Sequence, residues 1–213
     1  MSHDYLAAYR EAFSHPEYSK SSPSEDFVKS IEFETLVRQY HLTPDRTHFV
    51  EFGAGCGRAI KHLLNQGYTA VGVDIDNFME DPGTPFVQCD ITDELAMCLT
   101  SMMFRFDYSD EDDEPERIVN VGLCIDVMEH IALDDARTTI KAMLEGVEAL
   151  YLQIACFDDA MTNQLGLAHK MHINVQDGVW WGDLINEVAD ELGMVVRWAV
   201  SKHEGYFKCL VTE

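Results

Sequence analysis

Short, nearly unbroken apolar runs alternate along this chain with stretches whose apolar residues recur every three or four positions. The runs at 47–52, 69–74, 85–89, 117–125 and 147–157 carry the β-branched and aromatic content of strands. Between them, 58–66, 92–103 and 133–144 have helical spacing, and 24–40 has it ahead of the first strand, with Phe27, Val28, Ile31, Leu36 and Val37 behind the start signal Pro23-Ser24. Strands that are apolar throughout belong to a sheet covered on both faces, which makes this alternation a parallel sheet between helical layers. The pattern changes at the end. A helix at 181–192 precedes two further strands, 194–201 and 206–211, and the link at 202–205 is too short for a parallel crossover. The expected fold is therefore α/β: a doubly wound, mostly parallel seven-stranded sheet with an antiparallel C-terminal hairpin at one edge. A helical segment over 1–44 precedes the α/β unit of 45–213.

Charge narrows the partners. Fifteen Lys and Arg stand against 38 Asp and Glu, a net charge of -23. Such a field repels polyanions, so nucleic acid and anionic membrane surfaces are poor partners and a small molecule is the expected one. No stretch is long and apolar enough to span a bilayer. The six cysteines are scattered and form no C-x-x-C pair, and Cys124 and Cys156 lie within apolar runs, the pattern of buried thiols in a reducing compartment, the cytoplasm. The run at 107–116 holds seven acids and reads as a solvated loop. Trp180 and Trp181 lie on the apolar stripe of their helix with Leu184, Ile185 and Val188, and read as packing.

The most informative local motif is Glu51-Phe52-Gly53-Ala54-Gly55-Cys56-Gly57, where the first strand runs out and the next helix starts. Glycines let the chain turn and let a ligand come close, and the carboxyl ends of such strands are where ligands bind. Arg58 fills the place of the third glycine in a dinucleotide fingerprint, and no Gly-Lys-Ser/Thr follows for a phosphate loop. Glu51 would be unwelcome beside a pyrophosphate and suits a cation. Asp74, 21 residues beyond Gly53, has the spacing of a ribose-binding carboxylate, and Asp90 ends the third strand on the same rim. A second cluster, Asp126-Val127-Met128-Glu129-His130, follows the fourth strand, with His169 and His172 in the long segment after the fifth. Its residue types serve either as a general base or as ligands for a divalent metal.

In this order, 50–57, Val71-Gly72-Val73-Asp74, Cys89-Asp90 and 125–131 resemble the motifs of class I S-adenosylmethionine-dependent methyltransferases, over roughly 45–213. The resemblance implies S-adenosylmethionine as cofactor. Glu51, Gly53, Ala54, Gly55 and Gly57 would take its methionine end, Asp74 with the adjoining Ile75 its ribose, Asp90 with Ile91 its adenine, and Asp126 would sit beside the sulfonium. Some O-methyltransferases of the class bind a metal through Asp/Glu-x-x-Glu-His and a later His, which Asp126, Glu129, His130 and His172 resemble; others carry the pair without metal. Glu129, His130 and His172 are thus the catalytic candidates, the metal set stays unassigned, and a divalent metal ranks behind a metal-free site. The reaction implied is methyl transfer to a small O- or N-acceptor. The rivals are a non-catalytic cofactor-binding or scaffold protein and a nicotinamide-dependent oxidoreductase. The segment 1–44 would cap the cofactor site; within it residues 18–23 read first as a linker at a helix start, the alternative being that they fold over the cofactor with Tyr18 against it and Lys20 supplying charge.

Overall fold

The computed structural model describes residues 5–20, 22–105, 118–201 and 205–213. Seven strands, β1 (Thr47–Phe52), β2 (Thr69–Asp74), β3 (Phe86–Gln88), β4 (Val119–Ile125), β5 (Ala149–Ala155), β6 (Val195–Ser201) and β7 (Tyr206–Thr212), form one sheet in the order β3-β2-β1-β4-β5-β7-β6. The first five are parallel, and β7 runs antiparallel to both β5 and β6. The chain winds outward from β1 to β3 and then restarts at β4 on the other side of β1. That reversal opens a crevice at the carboxyl ends of β1 and β4.

The helices are α1 (Tyr5–Ser14), α2 (Pro23–Val28), α3 (Ile31–Gln39), α4 (Arg58–Asn65), α5 (Glu94–Arg105), α6 (Leu133–Gly146), α7 (Ala160–Leu165) and α8 (Gly178–Leu192). Phe27, Phe33, Ile60 and Leu63 pack with Phe49, Leu123 and Tyr151 on one face of the sheet. Met97, Ile140, Met143, Trp181 and Ile185 pack with Phe52, Leu150 and Leu152 on the other. Both faces are thus covered, as the unbroken apolar strands require. Trp181 is fully buried and Trp180 packs against the same cluster, in agreement with a packing role.

Three expectations need correction. The stretch 24–40 is two helices, because the Ser30 hydroxyl accepts from Phe33 N (3.2 Å) and caps a new helix where the periodicity alone would have run on. Helix α8 starts three residues early, since the Asp177 carboxylate caps Val179 N and Trp180 N at 2.9 Å each. Cys98 is exposed on α5 and Cys156 half-buried, whereas Cys56, Cys89, Cys124 and Cys209 are buried; all six are free thiols. The acidic run 107–116 and most of the hairpin link lie outside the described residues. Among the described residues no helix is long and apolar enough to cross a membrane.

Candidate functional site

The strand tips surround a cavity of about 440 Å³. One half is lined by Gly53, Ala54, Gly55, Asp74, Ile75, Asp90 and Ile91, so most of the residues expected around a nucleoside meet there. The turn is tight because Gly53 N and Ala54 N both donate to the Val73 carbonyl (2.8 and 3.2 Å) and Gly53 has φ +73°. A Cβ on Gly53 would stand 2.4 Å from Val127 Cγ2. Gly53→Ala is expected to cost roughly 2–4 kcal/mol, about 1–2 for the left-handed backbone and the rest for overpacking. Adding Val127→Ala should recover only the overpacking share, as read by urea denaturation.

Asp74 closes the same turn: its Oδ2 accepts from Gly55 N (2.8 Å) and its Oδ1 from Ile75 N (2.7 Å). Burial pushes its carboxyl up to about 6, against the pull of these backbone N–H groups. Asp90 Oδ1 accepts from the N–H and hydroxyl of Thr92 (2.9 and 2.7 Å). Glu51 stands behind the lining. The pleat puts it on the face of Phe49, under α2, where Ser24, a lining residue, hydrogen-bonds it. Its Oε2 is buried without a partner, and burial drives the carboxyl up to about 8. Gly57 also lies behind the lining, as the left-handed N-cap of α4.

Helix α1 forms a roof that the periodicities did not reveal. Tyr9 and Phe13 face the cavity from it, joined by Tyr18, Ser22 and Pro23. Their signal is the i, i+4 spacing of Tyr9 and Phe13, too short a stripe to stand out. The roof is tied down on two sides. Arg10 Nε pairs with Asp76 at 2.7 Å, and the Glu11 carboxylate accepts from Ala168 N (2.7 Å) and His169 Nδ1 (2.9 Å). Phe13 stacks on Phe78 with centroids 4.1 Å apart. Arg58, which breaks the dinucleotide pattern, pairs with Glu80 and donates to the Lys20 carbonyl (3.2 Å), anchoring the segment that carries Tyr18. Lys20 itself pairs with Glu17 at the surface, so its charge is not directed into the cavity.

The other half of the cavity gathers Asp126, His130 and His172, with Phe157, Met161 and Tyr206. Asp126 adopts φ +54°, rare outside glycine, and is held there by Gln153, whose carbonyl accepts Asp126 N (2.9 Å) and whose Nε2 donates to Asp126 Oδ1 (3.0 Å). His130 Nδ1 bonds the Met171 carbonyl (2.9 Å), and His172 Nδ1 the Phe157 carbonyl (2.8 Å). A carbonyl only accepts, so both Nδ1 atoms carry the proton; the His130 ring also meets the Asp126 carbonyl, and the Nε2 of a neutral His172 is left as an acceptor. The Glu129 carbonyl accepts from Ile173 N and Asn174 N (3.0 Å each), which binds the His172 segment to the turn bearing His130. Of the two later histidines, His172 enters the cavity and His169 serves the roof. Burial pushes His130 down to about 4, helped by His172, so it is neutral at physiological pH.

Glu129 is fully buried behind the lining, and neither carboxylate oxygen has a hydrogen-bond partner. Burial first, and the neighbouring Asp126 second, raise its pKa. One ligand atom each from Glu129, His130 and His172 lie within 4.8 Å of one another. Two imidazoles oriented by backbone carbonyls beside an unpartnered carboxyl are a donor set that fits a divalent cation.

No protein-family model matches this chain, and no curated protein matches it. Solved structures do. Magnesium protoporphyrin IX methyltransferase from Synechocystis PCC 6803, solved with bound S-adenosylmethionine, aligns at a TM-score of 0.57 with 13% identity, over 100% of this chain and 98% of that one. An O-methyltransferase family protein from Burkholderia thailandensis aligns at 0.50 with 15% identity over 94% of this chain. A small RNA methyltransferase aligns at 0.52 with 13% identity over 85%. This chain spans 61% of the length of the former and 25% of the latter. At these identities the likeness concerns the fold: the chain has the Rossmann-like fold of class I S-adenosylmethionine-dependent methyltransferases, the seven-stranded order expected from its sequence.

Proposed function

We propose that this chain, built on the fold of class I S-adenosylmethionine-dependent methyltransferases, binds S-adenosylmethionine and transfers its methyl group to a small-molecule oxygen or nitrogen acceptor. The observation that carries this reading is the set of carboxyl groups at the tips of β1, β2 and β4. Glu51, Asp74 and Asp126 are all raised by burial, around a cavity whose described lining contains no Lys or Arg. A site so arranged gains from a ligand that brings its own positive charge.

In this reading Asp74 accepts from the ribose hydroxyls, using lone pairs that its backbone bonds leave over. Ile75 adjoins the ribose, Asp90 and Ile91 receive the adenine, Gly53, Ala54 and Gly55 lie along the methionine end, and Gly57 with Glu51 supports that turn from behind. Asp126 faces the sulfonium. Residues 1–44 cap the cofactor through Tyr9, Phe13 and Tyr18, within the described part. When bound, the cofactor supplies a methyl carbon on a positively charged sulfur that leaves as a neutral thioether. The chain's contribution is placement, on the order of 7–11 kcal/mol where donor and acceptor are held in line, and removal of the acceptor's proton. His172 Nε2 is the proton acceptor, His130 holds the His172 segment through its bond to the Met171 carbonyl, and the Glu129 carbonyl ties that segment to the turn bearing His130. The free thiols fit a cytoplasmic protein.

Mass analysis of ligands released from the purified protein tests this reading. S-adenosylmethionine or S-adenosylhomocysteine is the expected species. Failure of either to bind at millimolar concentration in calorimetry would refute it.

A second reading is favoured by the unpartnered Glu129 carboxyl. Glu129, His130 and His172 would hold a divalent ion, whose Lewis acidity lowers the pKa of an acceptor hydroxyl. Calorimetric titration with Mn²⁺, against a Glu129→Gln control, separates the two readings.

Glu51 makes a distinct pH prediction. It keeps its proton in the folded chain up to about pH 8, whereas the unfolded chain releases it near ~4.3. Between these values the folded state binds the extra proton, so this contribution is fully present at low pH and is lost as pH rises. Glu51→Gln should therefore gain on the wild type from pH 5 to pH 8, by roughly 3–4 kcal/mol in unfolding free energy. Urea denaturation at four pH values measures it; a constant difference would mean that Glu51 is ionised in the fold.

A further inference from the structure

Resting on that reading of the cavity, we propose that the methyl acceptor is a flat aromatic alcohol or amine carrying no phosphate or carboxylate. The half of the cavity away from the glycine turn is walled by Tyr9, Phe157, Tyr206, Met161 and Met171. Phe157 meets Tyr206 edge-on (centroids 5.1 Å, 89°) and lies 5.9 Å from the His172 ring, and Tyr9 lies 5.7 Å from the His130 ring. Phe157 nevertheless leaves 39% of its surface exposed at this wall. A planar ring seated there would bury that face and find the offset and edge-on partners that aromatic groups prefer.

The polar atoms limit what the ring can carry. His172 Nε2 is an acceptor, because the Nδ1 proton of that ring is committed to the Phe157 carbonyl. It calls for an O–H or N–H on the acceptor, the atom that methyl transfer also requires. Asp126 and Asp159 face the same half. An anionic group would be desolvated beside two carboxylates, with no cation among the described lining.

The surrounding cations are engaged: Arg10 with Asp76 and Lys170 with Asp158, at 2.7 Å each, Arg58 with Glu80, and Lys20 with Glu17. Nor does the start of α7 offer N–H groups to an anion. Met161 N and Thr162 N are already bonded to Asp159, at 2.7 and 3.0 Å. Among the described residues these features disfavour a phosphate-bearing acceptor, RNA included, and leave room for a neutral or cationic tail.

Three phenols of one shape and different charge test this on the full chain: tyramine (cation), tyrosol (neutral) and 4-hydroxyphenylacetate (anion). Binding is read by tryptophan fluorescence and ligand-observed NMR, and sinefungin binding is measured separately on the same protein. Tyramine and tyrosol are expected to bind at least tenfold more tightly than 4-hydroxyphenylacetate. Asp159→Asn, which keeps the cap of α7 while removing its charge, should narrow the tyramine-to-anion ratio at least threefold. The inference is overturned if the anion binds as tightly as the others, if none of the three binds, or if an RNA oligonucleotide is methylated and the phenols are not. Absence of sinefungin binding strikes the cofactor reading instead, and the charge order among the phenols is still measured without it.

Discussion

His172→Ala is expected to lower methyl transfer by ~10²–10⁴-fold, the usual contribution of a positioned proton acceptor. The affinity for S-adenosylmethionine should stay within about twofold, because His172 stands on the half of the cavity opposite Gly53, Asp74 and Asp90. The imidazole does two things that must be separated. Its Nδ1 ties the chain to the Phe157 carbonyl at 2.8 Å, and its ring lines the cavity. His172→Asn keeps an N–H where Nδ1 stands and removes Nε2. If Asn restored turnover, the ring would be a brace for the segment; if Asn matched Ala, Nε2 is the working atom. Single-turnover rates at saturating acceptor, beside cofactor affinity from calorimetry, give both numbers. His130→Ala should be milder for proton transfer, since a group pushed down to about 4 is a weak base at pH 7, but it also breaks the bond to Met171 that aligns the His172 segment.

Asp74→Ala should weaken cofactor binding by roughly 10–100-fold. The estimate follows from losing a charge-assisted hydrogen bond worth about 1.5–3 kcal/mol, at 1.4 kcal/mol per decade. A further loss comes from the glycine turn, since Gly55 N and Ile75 N are left without their acceptor. Asp74→Asn retains one acceptor oxygen but not both, and should fall between Ala and wild type. Circular dichroism distinguishes a folded variant with lost affinity from an unfolded one. Near-wild-type affinity in Ala would remove Asp74 from the ribose site.

The parts of this protein legible in sequence are those governed by short periods. Apolar runs bounded by glycine marked the strands of the parallel sheet, and the four-residue link marked the antiparallel pair. Strand-end carboxylates are legible for the same reason: once β2 and β3 are recognised as parallel neighbours, Asp74 and Asp90 must stand on one rim. Where a side chain broke the period, the reading ran past the break, as at Ser30.

Other features depend on partners too distant for any local pattern. The roof over the cavity rests on Arg10 meeting Asp76, 66 residues on, and on Glu11 meeting Ala168, 157 residues on. His169 and His172 are three residues apart in a segment without periodicity, and only the Phe157 carbonyl and the Glu11 carboxylate assign one to the cavity and the other to the roof. Glu51 was recognisable as an acid beside the turn. That it lies under Ser24, protonated and with one oxygen unpartnered, follows from the covering of that face by α2.

By itself, then, the sequence determined the order of strands and helices, the glycine turn and the acids at the strand ends, because backbone periodicity and turn chemistry act between neighbours. The tertiary structure alone decided which groups reach the cavity, how deeply each carboxyl is buried and which imidazole nitrogen is held by a backbone carbonyl. Burial and electrostatic surroundings are set by residues brought together from distant parts of the chain.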